Sequence, residues 1–401
     1  MKSKNSKRLL NSGVASLLFT SLALSSSVAA AIDIQGTDLN IGGYAKLMLI
    51  YDTNGTITAP YNGDLYSIYL TPIDGSPNAD KSDLRMTARE SRVFVKTRTD
   101  TEYGTLTSHI EGDFFADIDN DSPTWSNSHG FRLRQAYGKL AMDKHSILAG
   151  QTWSNFMDLA ATMPTMDFAT DPGNTFVRQP QVRYQYNLAK GQYLSFSIEN
   201  PTLGMTKAGP HQIVNAGSSS EDKIPDVIGK YFFSNGTLTF SPRFVLRRFE
   251  LDGDSALGYG AAINTSIKLG DDHKFVLGLL YGDGIGRYAG LGFNAGAGIN
   301  SDTGTETLKF SSITGGYIYA INDKVKFTVG AGYSEQDEDG YEKNILTAGA
   351  NKTAFSWHSN VYWNITKDIQ YALGVTMGDV ENMGGREGDM TRIQSYLKYT
   401  F

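Results

Sequence analysis

Thr391-Arg392-Ile393-Gln394-Ser395-Tyr396-Leu397-Lys398-Tyr399-Thr400-Phe401 closes the chain. Ile393, Leu397, Tyr399 and Phe401 fall on one side of an extended segment, and Arg392, Gln394, Lys398 and Thr400 on the other. Strand side chains alternate faces with period two, so the stretch reads as one strand between an apolar and a wet phase. A soluble sheet edge looks similar over a single strand. The aromatic that carries the terminal carboxylate separates the two. A transmembrane barrel must close its sheet with its last strand and seats aromatics at the membrane interface.

The opposite end agrees. Lys2, Lys4, Lys7 and Arg8 precede an apolar run from Leu9 to Leu24, and Ala29-Ala30-Ala31 supplies a small-residue cleavage site. This is the pattern of a secretory signal peptide over 1–31, with a single barrel domain expected over 32–401. Removing the four basic residues leaves 32 Lys+Arg against 42 Asp+Glu, a net charge of −10. That balance disfavours nucleic acid as a partner. The absence of cysteine excludes a disulfide framework. Past the leader no run approaches the roughly 18 apolar residues of a membrane helix. A mean hydropathy of −0.30 resembles that of a soluble protein. Alternation hides an apolar face from any mean, however.

Working inward from the terminus, the same alternation recurs in about sixteen segments, an even number, joined by short turns at one end and longer polar connections at the other. Arg89–Thr99, Thr105–Phe115, Phe131–Leu140, Thr237–Arg247, Tyr259–Leu269 and Ile369–Gly378 are examples. The stretch from Thr53 to Thr87, with three prolines, reads as an extracellular loop. One face of each strand is without charge: Phe240, Phe244 and Leu246; Phe275, Leu277, Leu279 and Tyr281; Val361, Trp363 and Ile365; Tyr371, Leu373, Val375 and Met377. A midplane Arg or Lys on such a face costs about 2–4 kcal/mol. The fold class expected is therefore all-β, a transmembrane antiparallel barrel.

A barrel of that size is too wide for side chains to fill and should enclose water. Arg92, Lys96, Arg98, Arg132, Arg134, Arg183, Arg243 and Arg247 take the inward register, with Glu111 and Asp113 on an adjoining strand. A wall of cations raises the local concentration of anions, and Arg offers a planar fork matched to carboxylate. The alternative is that Glu111 and Asp113 pair with those cations and brace the wall. The connection Ser154–Arg178 is unusually apolar (Phe156, Met157, Leu159, Met163, Met166, Phe168, Phe176). A loop of that kind belongs packed on the inner wall as a constriction, rather than exposed. Covering a trimer contact or capping the barrel are the other possibilities. Folded inward, Asp158, Asp167 and Asp171 would oppose the basic wall across an eyelet, with Arg178 at the loop's end.

Three weaker motifs lead nowhere. Asp117-Ile118-Asp119-Asn120-Asp121 begins like a calcium loop, but Ser122 and Ser128 occupy the positions of the turn glycine and the bidentate Glu. His109, His129, His145, His211, His273 and His358 form no defensible nucleophile–base order. Gly284-Ile285-Gly286 lacks a following helix to cradle phosphate. No metal and no cofactor are expected.

Gly43-Tyr44-Ala45-Lys46, Arg89-Glu90-Ser91-Arg92, Ile110 to Phe115, Leu133 to Gly138, Ala149 to Asp158 and Arg178 to Tyr184 resemble the DcaP-like porins. The motif-rich stretch covers Gly43 to Tyr186; beyond it the match is strand rhythm. The resemblance implies a trimeric outer-membrane diffusion porin for negatively charged solutes such as dicarboxylates, with Arg92, Arg134 and Arg183 as pore residues. The periplasmic coiled-coil segment that family members often carry is missing between Ile32 and Asn40, so trimerisation is expected to rest on barrel walls. Expected partners are membrane lipid and lipopolysaccharide outside and small anions inside. The competing readings are a lipase-like barrel enzyme and a plugged structural or adhesive barrel.

Overall fold

In a computed structural model the chain forms a closed antiparallel barrel. The structure describes residues 32–34, 36–58, 63–116, 127–167, 171–201, 205–206, 223–251, 253–290, 293–300 and 303–401. The predicted signal peptide, the Asp117–Asp121 motif, Phe168 and His211 lie outside them. In chain order the strands are β1 Thr37–Asn54, β2 Arg92–Thr101, β3 Gly104–Ala116, β4 Gly130–Met142, β5 His145–Trp153, β6 Arg178–Ala189, β7 Gln192–Glu199 and β8 Asp226–Ser234. They continue as β9 Leu238–Leu251, β10 Asp254–Leu269, β11 His273–Asp283, β12 Lys309–Ala320, β13 Val325–Gln336, β14 Asn351–Asn364, β15 Ile369–Asn382 and β16 Glu387–Thr400. Each pairs with the next. The terminal strand β16 pairs back onto β1 and leaves no edge. Phe401 completes the seam: its N–H donates to the Gly43 carbonyl and its carbonyl accepts from the Gly43 N–H, both at 3.1 Å.

The outward faces are those the alternation predicts. Phe244, Leu246, Phe275, Leu279, Tyr281, Val361, Trp363, Leu373, Met377 and Leu397 all point away from the barrel. Several strands run further than expected. β9 reaches Leu251 and β10 begins at Asp254; β15 extends to Asn382 and β16 starts at Glu387. The outer ends carry polar pairs such as Asp379 opposite Asp389. Apolar alternation ends where the membrane ends, while the hydrogen-bonded ladder continues into water. That is why the hydrophobic pattern alone stops short.

The interior departs from a simple water-filled cylinder. Residues 63–74, including a turn of helix at Ile68–Leu70, fold inside the wall, and so does the segment around Gly286–Tyr288. Their side chains meet inward residues of β8 to β16 in one apolar core. Tyr66, Ile68, Tyr69, Phe156, Tyr288 and Phe293 pack with Ile228, Val245, Ala262, Leu280, Phe310, Ala354 and Val380. The stretch Thr53–Thr87, expected as an extracellular loop, is therefore partly a plug. It also contains a strand, Asp83–Thr87, paired with Met48–Asp52 of β1.

Candidate functional site

The long connection after β5 lies against the inner wall, so the trimer-cover and cap alternatives fall. Phe156, Met157, Met163 and Met166 are buried. Wall side chains satisfy the loop's carbonyls, which have no sheet partner of their own. Lys46 Nζ donates to the Met166 carbonyl (3.0 Å), Lys230 to Met157 (3.0 Å), Lys274 to Ala160 (3.1 Å) and Arg243 Nε to Phe156 (2.5 Å). Asn264 donates to the Ala161 carbonyl and Ser312 Oγ to that of Gly173. At the loop's start the Asn155 N–H donates to Glu199 of β7 at 2.8 Å. The anchors run from β7 through β12 to β1, so the loop is a belt over more than half of the inner circumference. Gly316 of β12 and Gly374 of β15 allow its closest approach. A Cβ on Gly316 would lie 2.5 Å from the Met163 sulfur, and one on Gly374 2.9 Å from Met166 Cγ.

The loop's acids do not oppose the basic wall across an open eyelet, contrary to expectation. Asp158, Asp167 and Asp171 are all buried. Asp158 Oδ1 accepts from the Ala160 N–H at 2.7 Å. Burial alone would raise its pKa, but the nearby Lys230 and Arg243 charges hold it below the usual carboxylate range. Asp167 accepts from the Tyr66 N–H (3.0 Å) and Gln394 (3.2 Å). Asp171 Oδ1 lies 2.9 Å from His358 Nδ1 of β14. These carboxylates pin the belt to the wall instead of setting up a field across an eyelet.

Two of the predicted wall cations are likewise anchors. Arg243 is spent on the Phe156 and Ser241 carbonyls and the Asn264 side chain. Arg247 ion-pairs Asp226 (3.1 Å), which also accepts from Tyr288 Oη, and donates to the Gly284 carbonyl. Both are buried beneath infolded segments, because β9 lies on the covered side.

The uncovered side is β2 to β6. There Asp113 accepts a two-pronged bond from Arg132 (2.9 and 2.8 Å) and a third from Arg134 (2.7 Å). Glu111 accepts from Arg134 at 2.8 Å and lies 3.5 Å from Arg92. The bracing alternative therefore holds for these three arginines. Geometry of this kind, bidentate and shared, fixes guanidinium planes. Arg178, Arg183 and Lys96 have no carboxylate in contact among the described residues. Arg178 stacks 4.6 Å over the Trp153 ring, Arg183 donates to Gln181 and the Trp153 carbonyl, and Lys96 sits 4.4 Å over Phe94. Arg98 lies near the periplasmic turn with Asp100 at 3.1 Å.

Register explains a residue that sequence reading missed. Opposite Glu111 and Gly112 stand Gln135 and Leu133, so Arg134 is an extra residue in a bulge. A bulge re-aims the side chains that follow it. Strict alternation from Arg134 would send Lys139 into lipid; the bulge turns Gln135, Tyr137 and Lys139 inward instead. Tyr137 packs edge-on against His109 of the same wall. Lys230, Lys274 and Lys326 were also missed, though their inward parity was readable; Lys46 and Lys398 were placed on the wet face but not among the pore residues.

Two of the histidines serve local contacts. Nδ1 of His145 is 2.6 Å from Tyr184 Oη, and His273 is likewise 2.6 Å from Tyr317.

The model of the DcaP outer membrane protein family matches residues 4–401. No curated protein matches the chain. Among solved structures, the outer membrane channel DcaP of Acinetobacter baumannii is similar at 24% identity, covering 93% of this chain and 100% of that one, with a TM-score of 0.77. An anion-selective porin from Comamonas acidovorans is similar at 12% identity, covering 91% and 100%, with a TM-score of 0.60. Salmonella typhi OmpF, solved with daunomycin, is similar at 12% identity, covering 92% and 100%, also with a TM-score of 0.60. At these identities the structural likeness speaks for the fold.

Proposed function

The chain belongs to the DcaP outer membrane protein family, and from that premise we propose that this bacterial outer-membrane porin is a passive channel preferring small anions, dicarboxylates among them. One observation carries the reading. Glu111 and Asp113 are already occupied by Arg92, Arg132 and Arg134, and the same wall then adds Arg178, Arg183 and Lys96 without further carboxylates in contact. The uncovered half of the lumen thus has a positive surplus, which attracts anions and repels cations. Fixed guanidinium forks suit the two oxygens of a carboxylate. Assembly as a trimer through barrel walls is part of the proposal; a trimer form was solved for the similarly folded OmpT of Vibrio cholerae. Lipid and lipopolysaccharide would surround the outward apolar band.

Single-channel recording in a salt gradient tests it. The expected result is open-channel current with a reversal potential on the anion side. Arg178→Gln, Arg183→Gln and Lys96→Gln together should move that potential toward cations. A silent bilayer would favour a plugged barrel, and a cation-selective wild type would overturn the anion path.

A further inference from the structure

A second set of cations lies near the short-turn end of the covered side and reaches the edge of the arginine wall, where Lys398 and Arg92 flank the same Tyr44 ring. Lys268 and Lys274 stand directly opposite each other across β10 and β11, and Lys46 and Lys398 do so across β1 and β16. Lys326 joins them from the start of β13, opposite Tyr362. All five take the inward register. Several lie within electrostatic reach of one another: Lys398 of Lys46 and Lys326, with Glu90 opposing, and Lys274 of Lys268 and Lys326, with Asp158 opposing. Like charges placed directly opposite in a sheet destabilise the pair, so two such pairs on one arc ask for a compensating partner.

For two of the five that partner is visible. Lys46 bonds Glu90 and the Met166 carbonyl, and Lys274 bonds the Ala160 carbonyl. Both therefore hold the belt from below. Lys268, Lys326 and Lys398 have no hydrogen bond from their ammonium groups and no carboxylate in contact among the described residues, although the Glu90 charge reaches Lys398. Lys326 has only the Tyr362 ring at 5.0 Å, and Lys398 the Tyr44 and Tyr396 rings at 5.7 and 6.0 Å.

We propose that Lys268, Lys326 and Lys398 form a second anion station at the periplasmic mouth, which holds small oxyanions of two or more negative charges. The proposal rests on the reading of the barrel as an anion channel and adds where, and for which charge, the lumen binds. A monoanion neutralises one ammonium and leaves its neighbours repelling; a dianion reaching two relieves both. Lysine suits an exit. Its ammonium is a hydrated, rotatable point charge without the rigid fork of arginine, so it concentrates an anion without clamping it. A pore conducts when its sites bind strongly enough to fill and weakly enough to empty.

The test uses barrels of known orientation in a planar bilayer in potassium chloride at about pH 7.5, with inorganic phosphate, then mainly a dianion, added to either side. Wild-type current should be depressed at lower phosphate concentrations from the periplasmic side than from the extracellular side. In K268Q/K326Q/K398Q the periplasmic half-blocking concentration should rise roughly three- to tenfold, as expected for removing close charges, while the extracellular response stays. Acetate, a monoanion, should show little change. If the triple variant fails to insert, K398Q alone carries the same comparison, with a smaller rise. An unchanged periplasmic response, or a wild type with no difference between sides, overturns the station. A wild type without anion preference overturns instead the channel reading beneath it.

Discussion

The two halves of this barrel's inner wall share strand geometry and distance from lipid, yet they face different surroundings. From β8 to β16 the inward residues nearer the extracellular end are Ile228, Val245, Ala262, Leu280, Phe310, Ala354 and Val380, packed against infolded chain. From β2 to β6 they are Arg92, Glu111, Asp113, Arg132, Arg134 and Arg183, with no belt in front. Inward-facing and water-facing are therefore separate properties in a wide barrel. The lipid side imposes one rule on every strand, whereas the lumen side depends on which loop lies over it.

The most direct way to break the comparison is to remove the belt. Deleting residues 156–174 should raise single-channel conductance, because the part of the covered half that lies under the belt alone would become lumen. It should also expose the apolar residues that pack on Met166 of the belt, Met48, Ile50, Tyr362 and Tyr396, each worth about 1.5–3 kcal/mol when buried. The barrel should then melt at a markedly lower temperature in detergent, as read by heat-dependent gel mobility. An unchanged conductance would mean that the covered half conducts nothing even when cleared.

Next in size is the seam where the covered half begins. Arg392 of β16 is fully buried and makes a two-pronged ion pair with Asp52 of β1 at 2.6 and 2.9 Å, and Arg85 adds a third bond at 2.7 Å. Asp52→Ala would strand buried guanidinium charge. Removing one partner of such a pair costs about 3–5 kcal/mol. Urea unfolding of the micelle-bound barrel should show a loss of that order, with reversal potential unchanged because no bare-wall cation is touched. A shift in selectivity would place Asp52 in the ion path instead.

How much of this was readable beforehand follows from the same asymmetry. Phe275, Leu277, Leu279 and Tyr281 could be assigned outward from spacing alone, since hydrocarbon tolerates no charge there. The belt was readable too, because Phe156, Met157, Met163 and Met166 have no place on an exposed loop. The same signal was present in Ile57, Leu65, Tyr66, Ile68 and Tyr69, but prolines and polar neighbours made that stretch look like a surface loop. The lumen wall was harder. Arg92, Arg243 and Arg392 have the same inward parity, yet one lies on the uncovered wall, one holds a loop carbonyl and one is buried in the seam. Parity cannot tell these apart, because the distinction is made by contacts far away in sequence. Lys139 was hidden for a local reason, the single extra residue at Arg134.

A smaller effect should follow from packing the belt away from its wall. Gly316→Leu would drive a side chain into Met163, and overpacking of this sort costs about 1–3 kcal/mol. The expected readout is flickering open-channel current with the same anion preference. The equivalent change at Gly138, where a Cβ meets nothing within 4 Å, should leave the trace quiet. If both variants behave alike, the belt is not held by contact with the wall.

The smallest effect is that of pH on the belt. The Asp158 carboxyl is buried, which alone would raise its pKa, but Lys230 and Arg243 outweigh burial and hold it low. A carboxylate whose folded pKa is depressed adds stability that is complete above its unfolded value, near 3.9 for aspartate. That stability is lost as pH falls through the folded value. The belt should therefore stay docked from neutral pH down to about 4 and loosen only below it, seen as current noise that rises on acidification. Asp158→Asn keeps the shape but cannot lose a charge, so it should be noisier at neutral pH and show less further change in acid. Onset of noise well above about pH 4 in the wild type would assign the loosening to a group other than Asp158. Because the arginine wall has no part in this docking, its anion preference should persist through the same titration until Glu111 and Asp113 themselves protonate, and then increase.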